Sequence, residues 1–406
     1  MQVRRAALAF IFVTVVIDVL ALGIVIPVLP KLVVAFEGGD TARAAGTFGI
    51  FMTAWGLMQF VSMPLVGAIS DRFGRRPVIL ISCLGLGLDY FLMAWAPTLG
   101  WLLLGRVISG ITASTFSTSF AYIADVAPPE KRAQSFGYVG AAFGLGFVLG
   151  PALGGILGNV DPRLPFKVAG VMTVLAAAYG YFILPESLPP ERRASFEWRK
   201  ANPVGSLVLL RSHPELAGLS VAGFLMQLAH VVLPAVTVLY MGYRYGWDAL
   251  TVGLVLAGVG ICSMIVQGAL IKPVVSRLGE RRSLALGLAF GFLGFLFYGL
   301  APTGVLFLVG VPVMSLWGFA NPSLQALMTR HVSGSEQGKL QGANSSLTAI
   351  AGLVGPAIFT SAFSFFIAPG APAHVPGAPY ILAAAMLLAS CAIAWHATRP
   401  GEKSAS

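Results

Sequence analysis

Long apolar runs alternate with short polar loops along the whole chain. They lie near residues 6–28, 46–68, 77–96, 99–122, 134–158, 165–184, 215–240, 248–272, 282–301, 303–328, 338–366 and 378–397. Each is about 20 residues or more, the length at which a helix crosses a ~30 Å hydrocarbon core. The pattern predicts an all-α polytopic membrane protein with twelve transmembrane helices. The longest hydrophilic stretch contains Pro-Glu-Ser-Leu-Pro-Pro-Glu-Arg-Arg and divides the runs six and six. It predicts an N-terminal six-helix bundle over 1–185, a cytoplasmic linker over 186–213, a C-terminal six-helix bundle over 214–398 and a cytoplasmic tail over 399–406.

An internal repeat supports the two halves. Arg72-Phe73-Gly74 returns as Arg277-Leu278-Gly279, Gly137 as Gly342, and Gly150-Pro151 as Gly355-Pro356, each 205 residues later. A duplicated bundle predicts pseudo-symmetric halves with a substrate site between them near the bilayer midplane. The copy is degraded, since Ser276 stands where the first half has Asp71.

Composition and charge fit a polytopic membrane protein better than any soluble class. Of 406 residues, 57% are hydrophobic and only 10% charged, against about a quarter charged in a soluble domain. The net charge of +10 is spread over short loops, which argues against nucleic acid as a partner. With the N-terminus inside, twenty of the 26 Lys and Arg residues fall on the inner side, five outside and Arg106 within a run. That bias predicts both termini on the cytoplasmic side. Arg4 and Arg5 precede an apolar run that continues to Pro27–Pro30 with no small-residue cleavage site, so it reads as a retained first helix. Cys83, Cys262 and Cys391 lie in separate runs without metal-ligand spacing, so neither a disulfide nor zinc is expected. The absence of a P-loop, a metal cluster or nucleophile–base spacing argues against an enzyme and against ATP as the drive. No loop is long enough for a soluble sensor domain with its own core.

Three charges lie inside apolar runs: Asp18, Asp89 and Arg106. Each costs about 2.5–3.5 kcal/mol at a helix centre and needs a reason to be there. At ~1.5 Å per residue, both aspartates lie roughly 18 Å from the inner face and Arg106 about 24 Å, so the three could share one level. Burial favours a neutral carboxyl and a neighbouring guanidinium favours the charged one. Movement of Arg106 relative to an aspartate would then couple proton binding to a conformational change. A static buried ion pair is the plainer alternative.

Other residues carry weaker signals. Gly146, Gly150 and Gly154 are spaced by four and share one helix face, where another helix can approach closely. Pro151 can bend that helix, and Gly155 follows. Among uncharged polar residues, Gln59, Gln227, His230, Gln325 and Asn344 could line a substrate cavity and hydrogen-bond a polar small molecule. The run Gly67-Ala68-Ile69-Ser70-Asp71-Arg72-Phe73-Gly74-Arg75-Arg76-Pro77 is a tight charged turn between two spans. Gly74 permits the turn, Pro77 suits a first helical turn, and Asp71 can pair with arginine or sit at a helix N-terminus.

That run resembles the G-x-x-x-D-R-x-G-R-[RK] signature of the major facilitator superfamily. Within it, the chain is most similar to the tetracycline/H+ antiporters and their drug-efflux relatives. Asp18 through Gly23, with Pro27 and Pro30, resembles their first helix. Leu88-Asp89-Tyr90 resembles the third, and Gly105-Arg106 through Gly110 the fourth, with its proton-linked arginine. Ala121 through Asp125, followed by Pro129-Glu130-Lys131-Arg132, is similar to the next loop. The resemblance implies a cytoplasmic charge network of Asp125, Lys131 and Arg132 with Asp71, Arg72, Arg75 and Arg76, latching the inner side. Gly146-x-x-x-Gly150-Pro151-x-x-Gly154-Gly155 resembles the antiporter signature and implies export. Asn321 through Gly342 is also similar to the tetracycline family. Two family residues are missing: Ser263 stands at the eighth-helix histidine and Gly291 at the ninth-helix aspartate. The implied activity is proton-coupled efflux of small amphipathic drugs, tetracyclines among them, by a monomer in the lipid bilayer. The alternative is a proton-coupled uptake symporter of a small metabolite. No cofactor is implied beyond the proton gradient, although a tetracycline cargo would bring its own chelated divalent metal.

Overall fold

The computed structural model describes residues 2–113, 115–127, 132–193, 214–333 and 336–399. In the first half the helices are α1 Gln2–Val25, α2 Leu29–Phe36, α3 Thr41–Phe73, α4 Arg75–Ala94, α5 Leu99–Thr112, α6 Thr115–Val126, α7 Arg132–Val160 and α8 Leu164–Ile183. In the second they are α9 Pro214–His230, α10 Val232–Tyr245, α11 Ala249–Ile265, α12 Ile271–Leu300, α13 Gly304–Ser315, α14 Ala320–Thr329, α15 Gln337–Ile367 and α16 Ala378–Ala397. A π-helical turn, Val266–Leu270, joins α11 to α12.

Among the described residues, ten helical runs are long and apolar enough to cross a membrane. This is fewer than the twelve apolar runs of the sequence, for two local reasons. The run Ala249–Leu300 is continuous over 52 residues, although Gly279 breaks the helical path inside it with φ 74°. The run expected at 99–122 is split into α5 and α6.

The chain forms two compact units: residues 1–203 with 241–260, and residues 204–240 with 261–406. In the first, α1 packs along α7, α4 along α8, and α5 against both α3 and α4. In the second, α9 packs along α15, α12 along α16, and α13 against α12. Three of these pairings repeat between units, as the 205-residue repeat implies, while the α3–α5 pairing belongs to the first. Gly74 and Gly279 repeat as well, with φ 107° and 74°, where a Cβ would strain the backbone.

Close backbone approach holds the first unit together. A Cβ on Gly150 would come 2.6 Å from Gly23 Cα, and one on Gly146 would come 2.5 Å from Val19 Cγ1. Gly154 faces the backbone of Ile24 in the same way. Gly155 points elsewhere, onto Ala249 and Gly253, which places the start of α11 in this unit. In the same unit Lys31 Nζ donates to the Trp247 carbonyl at 2.6 Å. Hydrogen bonds from Thr251 hold the neighbouring Asp248 carboxyl below its ordinary range. In the second unit Tyr240 donates to the Tyr298 carbonyl at 2.9 Å and Tyr380 donates to Thr237 Oγ1 at 2.9 Å. Tyr298 stacks on Phe307 with ring centroids 4.2 Å apart.

Candidate functional site

The three intramembrane charges converge in the first unit. Asp18 on α1 and Asp89 on α4 are each 1% exposed, and Arg106 on α5 is 6% exposed. All three act electrostatically on Tyr90, which is itself buried. Cys83 Sγ lies 4.0 Å from Asp18 Oδ2, a weak donor to a carboxylate whose other oxygen has no partner.

Asp89 and Arg106 feel one another's charge without closing a contact. Neither carboxylate oxygen of Asp89 accepts a hydrogen bond among the described residues, and Arg106 Nε has no acceptor. Instead the Arg106 guanidinium lies 5.4 Å from the centroid of the Trp55 ring on α3. Gly105 makes the approach of α4 possible: a Cβ there would stand 2.9 Å from Asp89 Oδ1. The sequence expectation brought these three charges together, and the structure places Asp89 and Arg106 within electrostatic reach of one another, with Asp18 reaching Tyr90. Trp55 was not legible as part of the group, because it is one of several tryptophans in apolar runs with no spacing signal.

A second cluster forms around the turn between α3 and α4, and its hub is Arg75. Its guanidinium pairs with Asp71 Oδ1 at 2.6 Å and with Asp125 Oδ2 at 3.2 Å, and it donates to Ser70 Oγ. Ser187 Oγ donates to the same Asp125 oxygen at 3.2 Å. Arg72 and Arg76 take other places. Arg72 lies over the Phe73 ring at 5.2 Å. Arg76 lies over Tyr181 at 5.6 Å and donates to the Tyr181 carbonyl at 2.6 Å. Lys131 and the Arg132 side chain fall outside the described residues. The acid at the α4 N-terminus is Glu186, which accepts from Arg75 N at 2.9 Å and Arg76 N at 3.3 Å. A carboxylate there satisfies orphan amides and meets the positive end of the helix dipole. Glu186 also fills the space beside Gly74, where a Cβ would collide with its carboxyl. Gly67 has open space around it.

The cluster yields a differential expectation. Arg75→Gln leaves Asp71 and Asp125 facing one another without their shared cation, at a cost of about 1–3 kcal/mol. Arg72→Gln removes only a surface contact, within about 0.5 kcal/mol of neutral. Thermal unfolding of the two variants in detergent should separate them, with the lower midpoint belonging to Arg75→Gln. Equal midpoints would mean that Arg75 is no hub.

In the second unit, an open pocket of about 330 Å³ is lined by Gln227, Asn321, Gln325, Asn344 and Thr348 among others. Gln325 Oε1 accepts from Asn344 Nδ2 at 3.1 Å, and Gln227 Nε2 donates to Thr348 Oγ1 at 3.0 Å. No charged residue lines it. So the structure brings together Gln227, Gln325 and Asn344, three of the five expected polar residues. His230 stands apart from this lining, exposed and 5.6 Å from the Trp317 ring. Gln59, on α3, is half-buried in the first unit. Gly291, where the resemblance implies an acid, has no room for one. A Cβ there would come 2.6 Å from Leu387 Cδ1 and 2.8 Å from Trp317 Cγ. Leu387 and Trp317 occupy that place, and Phe295 lies 5.5 Å from the Trp317 ring. Ser263 is half-buried.

Known proteins resemble this chain over most of its length. The family model of the Major Facilitator Superfamily matches residues 11–356. The tetracycline resistance protein, class C, of Escherichia coli is 38% identical, covering 88% of this chain and 90% of that relative. The class G protein of Vibrio anguillarum is 36% identical, covering 86% and 88%. Among solved structures, the human organic anion transporter MFSD10 (TETRAN) superposes with a TM-score of 0.67 at 24% identity, covering 96% of this chain and 99% of that one. The nucleoside transporter NupG superposes with a TM-score of 0.78 at 13% identity, covering 99% and 100%.

Proposed function

Because this chain belongs to the major facilitator superfamily, we propose that it is a proton-coupled exporter of small amphipathic drugs, tetracyclines among them, working by alternating access. The observation that carries this reading is the pair of buried carboxylates, Asp18 and Asp89, with Arg106 nearby and no ion pair closed. An acid that faces a guanidinium releases its proton, and the same acid without that partner keeps it. Changing which partner Arg106 meets therefore changes proton occupancy. Cargo that favours the other conformation completes the exchange.

The remaining assignments follow as proposals. The 52-residue run Ala249–Leu300 would extend about 78 Å if straight, far beyond a ~30 Å core. It therefore crosses twice, turning at Gly279, while α5 and α6 together make one crossing. That gives twelve spans in two six-helix halves, 1–185 and 214–398, with both termini cytoplasmic in the bacterial inner membrane. Asp71, Arg75, Asp125 and Glu186 would latch the cytoplasmic side. The uncharged pocket of Gln227, Gln325 and Asn344 would hydrogen-bond polar groups of the cargo. Gly146, Gly150, Pro151 and Gly154 would let α7 move against α1 at close range. The working unit would be a monomer, and a tetracycline would travel with its chelated divalent metal.

The test uses proteoliposomes with an imposed pH gradient and two probes, magnesium-tetracycline and ethidium. Export of at least one probe should collapse when a protonophore dissipates the gradient, with protons moving opposite to cargo. Cargo movement indifferent to the protonophore would end the reading. Protons moving with the cargo would replace it by symport.

A further inference from the structure

We propose that Trp55 is a positioning residue for the proton-coupling group: its indole holds the Arg106 guanidinium off Asp89, so that Arg106 has two stations and occupies the aromatic one. The proposal deepens the proton-coupled reading and rests on it.

The geometry is built rather than incidental. Arg106 and Gly110 lie four residues apart on one face of α5. Gly110 brings α3 close: a Cβ there would stand 2.7 Å from the Trp55 carbonyl oxygen and 2.7 Å from Met58 Cβ. That contact fixes the height of Trp55, whose ring then lies 5.4 Å from the guanidinium one turn away. Gly105, on the other side of Arg106, brings α4 close and seats Asp89 Oδ1 against the α5 backbone. The arginine is thus flanked by a ring from α3 and a carboxylate from α4.

The unmade bond is the telling feature. Two buried groups of opposite charge, Asp89 and Arg106, sit within electrostatic reach, and each leaves polar atoms without a partner. Buried polar groups are normally satisfied, and exceptions mark strain or function. An aromatic face attracts a guanidinium without accepting a directed hydrogen bond. It can therefore hold the cation and still release it to a carboxylate. The other titratable group reached by the Arg106 charge is Tyr90 on α4, and Tyr90 in turn feels Asp18 on α1.

The experiment needs no cargo. Carboxyl groups that carry their proton add across a hydrophobic carbodiimide, the oxygen to its carbon and the proton to its nitrogen, and mapping of modified peptides separates Asp89 from Asp18. The full-length protein and the variants Trp55→Leu, Trp55→Phe, Arg106→Gln and Trp55→Leu/Arg106→Gln are labelled at neutral pH. Loss of the ring sends Arg106 to Asp89, so Trp55→Leu should slow Asp89 labelling about tenfold, equivalent to ~1.4 kcal/mol. Trp55→Phe keeps an aromatic face and should stay within about threefold of wild type. In the Arg106→Gln background the Leu substitution should change nothing. Asp18 labelling is the folding control, with Trp55→Met as a second volume-keeping variant. Unchanged Asp89 labelling in Trp55→Leu overturns the assignment. So does a Leu effect that survives without Arg106, or a loss of Asp18 control in both Leu and Met variants, since the ring would then only pack. Failure of the efflux reading would show separately, as wild-type vesicles that export no probe.

Discussion

Asp89→Asn should reduce gradient-driven export to the level of protein-free vesicles while leaving the folded protein in the membrane. The substitution keeps the side-chain shape, so the seat against Gly105 is preserved. It removes only the capacity to gain and lose a proton. It also removes an ionisable group from a span, where a charge costs about 2.5–3.5 kcal/mol, so the variant should insert and melt no worse than wild type. Exchange of labelled for unlabelled cargo at equal pH needs no net proton movement and should persist. That combination, exchange retained and driven export lost, marks a proton-carrying residue. A packing residue would lose both. If the folded variant still exports against a gradient, the proton is carried elsewhere and Asp89 is a structural charge.

The nearness of Asp89 and Arg106 could be anticipated from the sequence because a helix rises by a fixed step. Counting residues from the membrane face is then counting depth. The four-residue glycine spacing was legible for the same reason, and its face turned out to meet α1 at Val19, Gly23 and Ile24. The repeat was legible through Gly74 and Gly279, whose positive φ is a local demand that only glycine meets cheaply. What could not be read were partners across the chain. Glu186 reaches the amides of Arg75 and Arg76 from 110 residues away or more. Nothing in its hydrophilic stretch distinguishes it from the acid five residues on. The sequence likewise offered Arg72, Arg75 and Arg76 to Asp71 and Asp125, and only the folded geometry chose Arg75. Trp55 and Trp317 show the same limit. An aromatic in an apolar run reads as core until the fold reveals a guanidinium beside one and a vacant glycine face beneath the other.

The largest stability effect should come from Gly150→Leu. A Cβ on Gly150 meets Gly23 Cα at 2.6 Å and Leu20 O at 3.0 Å, and both neighbours are backbone that cannot swing aside. Gly23 is equally crowded from its own side, with Gly150 Cα at 2.9 Å and Gly146 O at 2.8 Å. Overpacking a tight contact costs about 1–3 kcal/mol, and a leucine adds three carbons beyond the Cβ, so the upper end is expected. The alternative to paying that strain is to separate α1 from α7. Separation would shift Asp18, five residues before Gly23, away from Cys83 on α4. Gly150→Leu should therefore lower the thermal midpoint in detergent and abolish export together. Gly140, on the same helix, supplies the control because a Cβ there meets nothing within 4 Å. Gly140→Ala should be neutral or stabilising by up to about 1 kcal/mol through helix propensity alone. Equal midpoints for the two variants would mean that α7 does not depend on close approach to α1, and the glycine face would lose its physical reason.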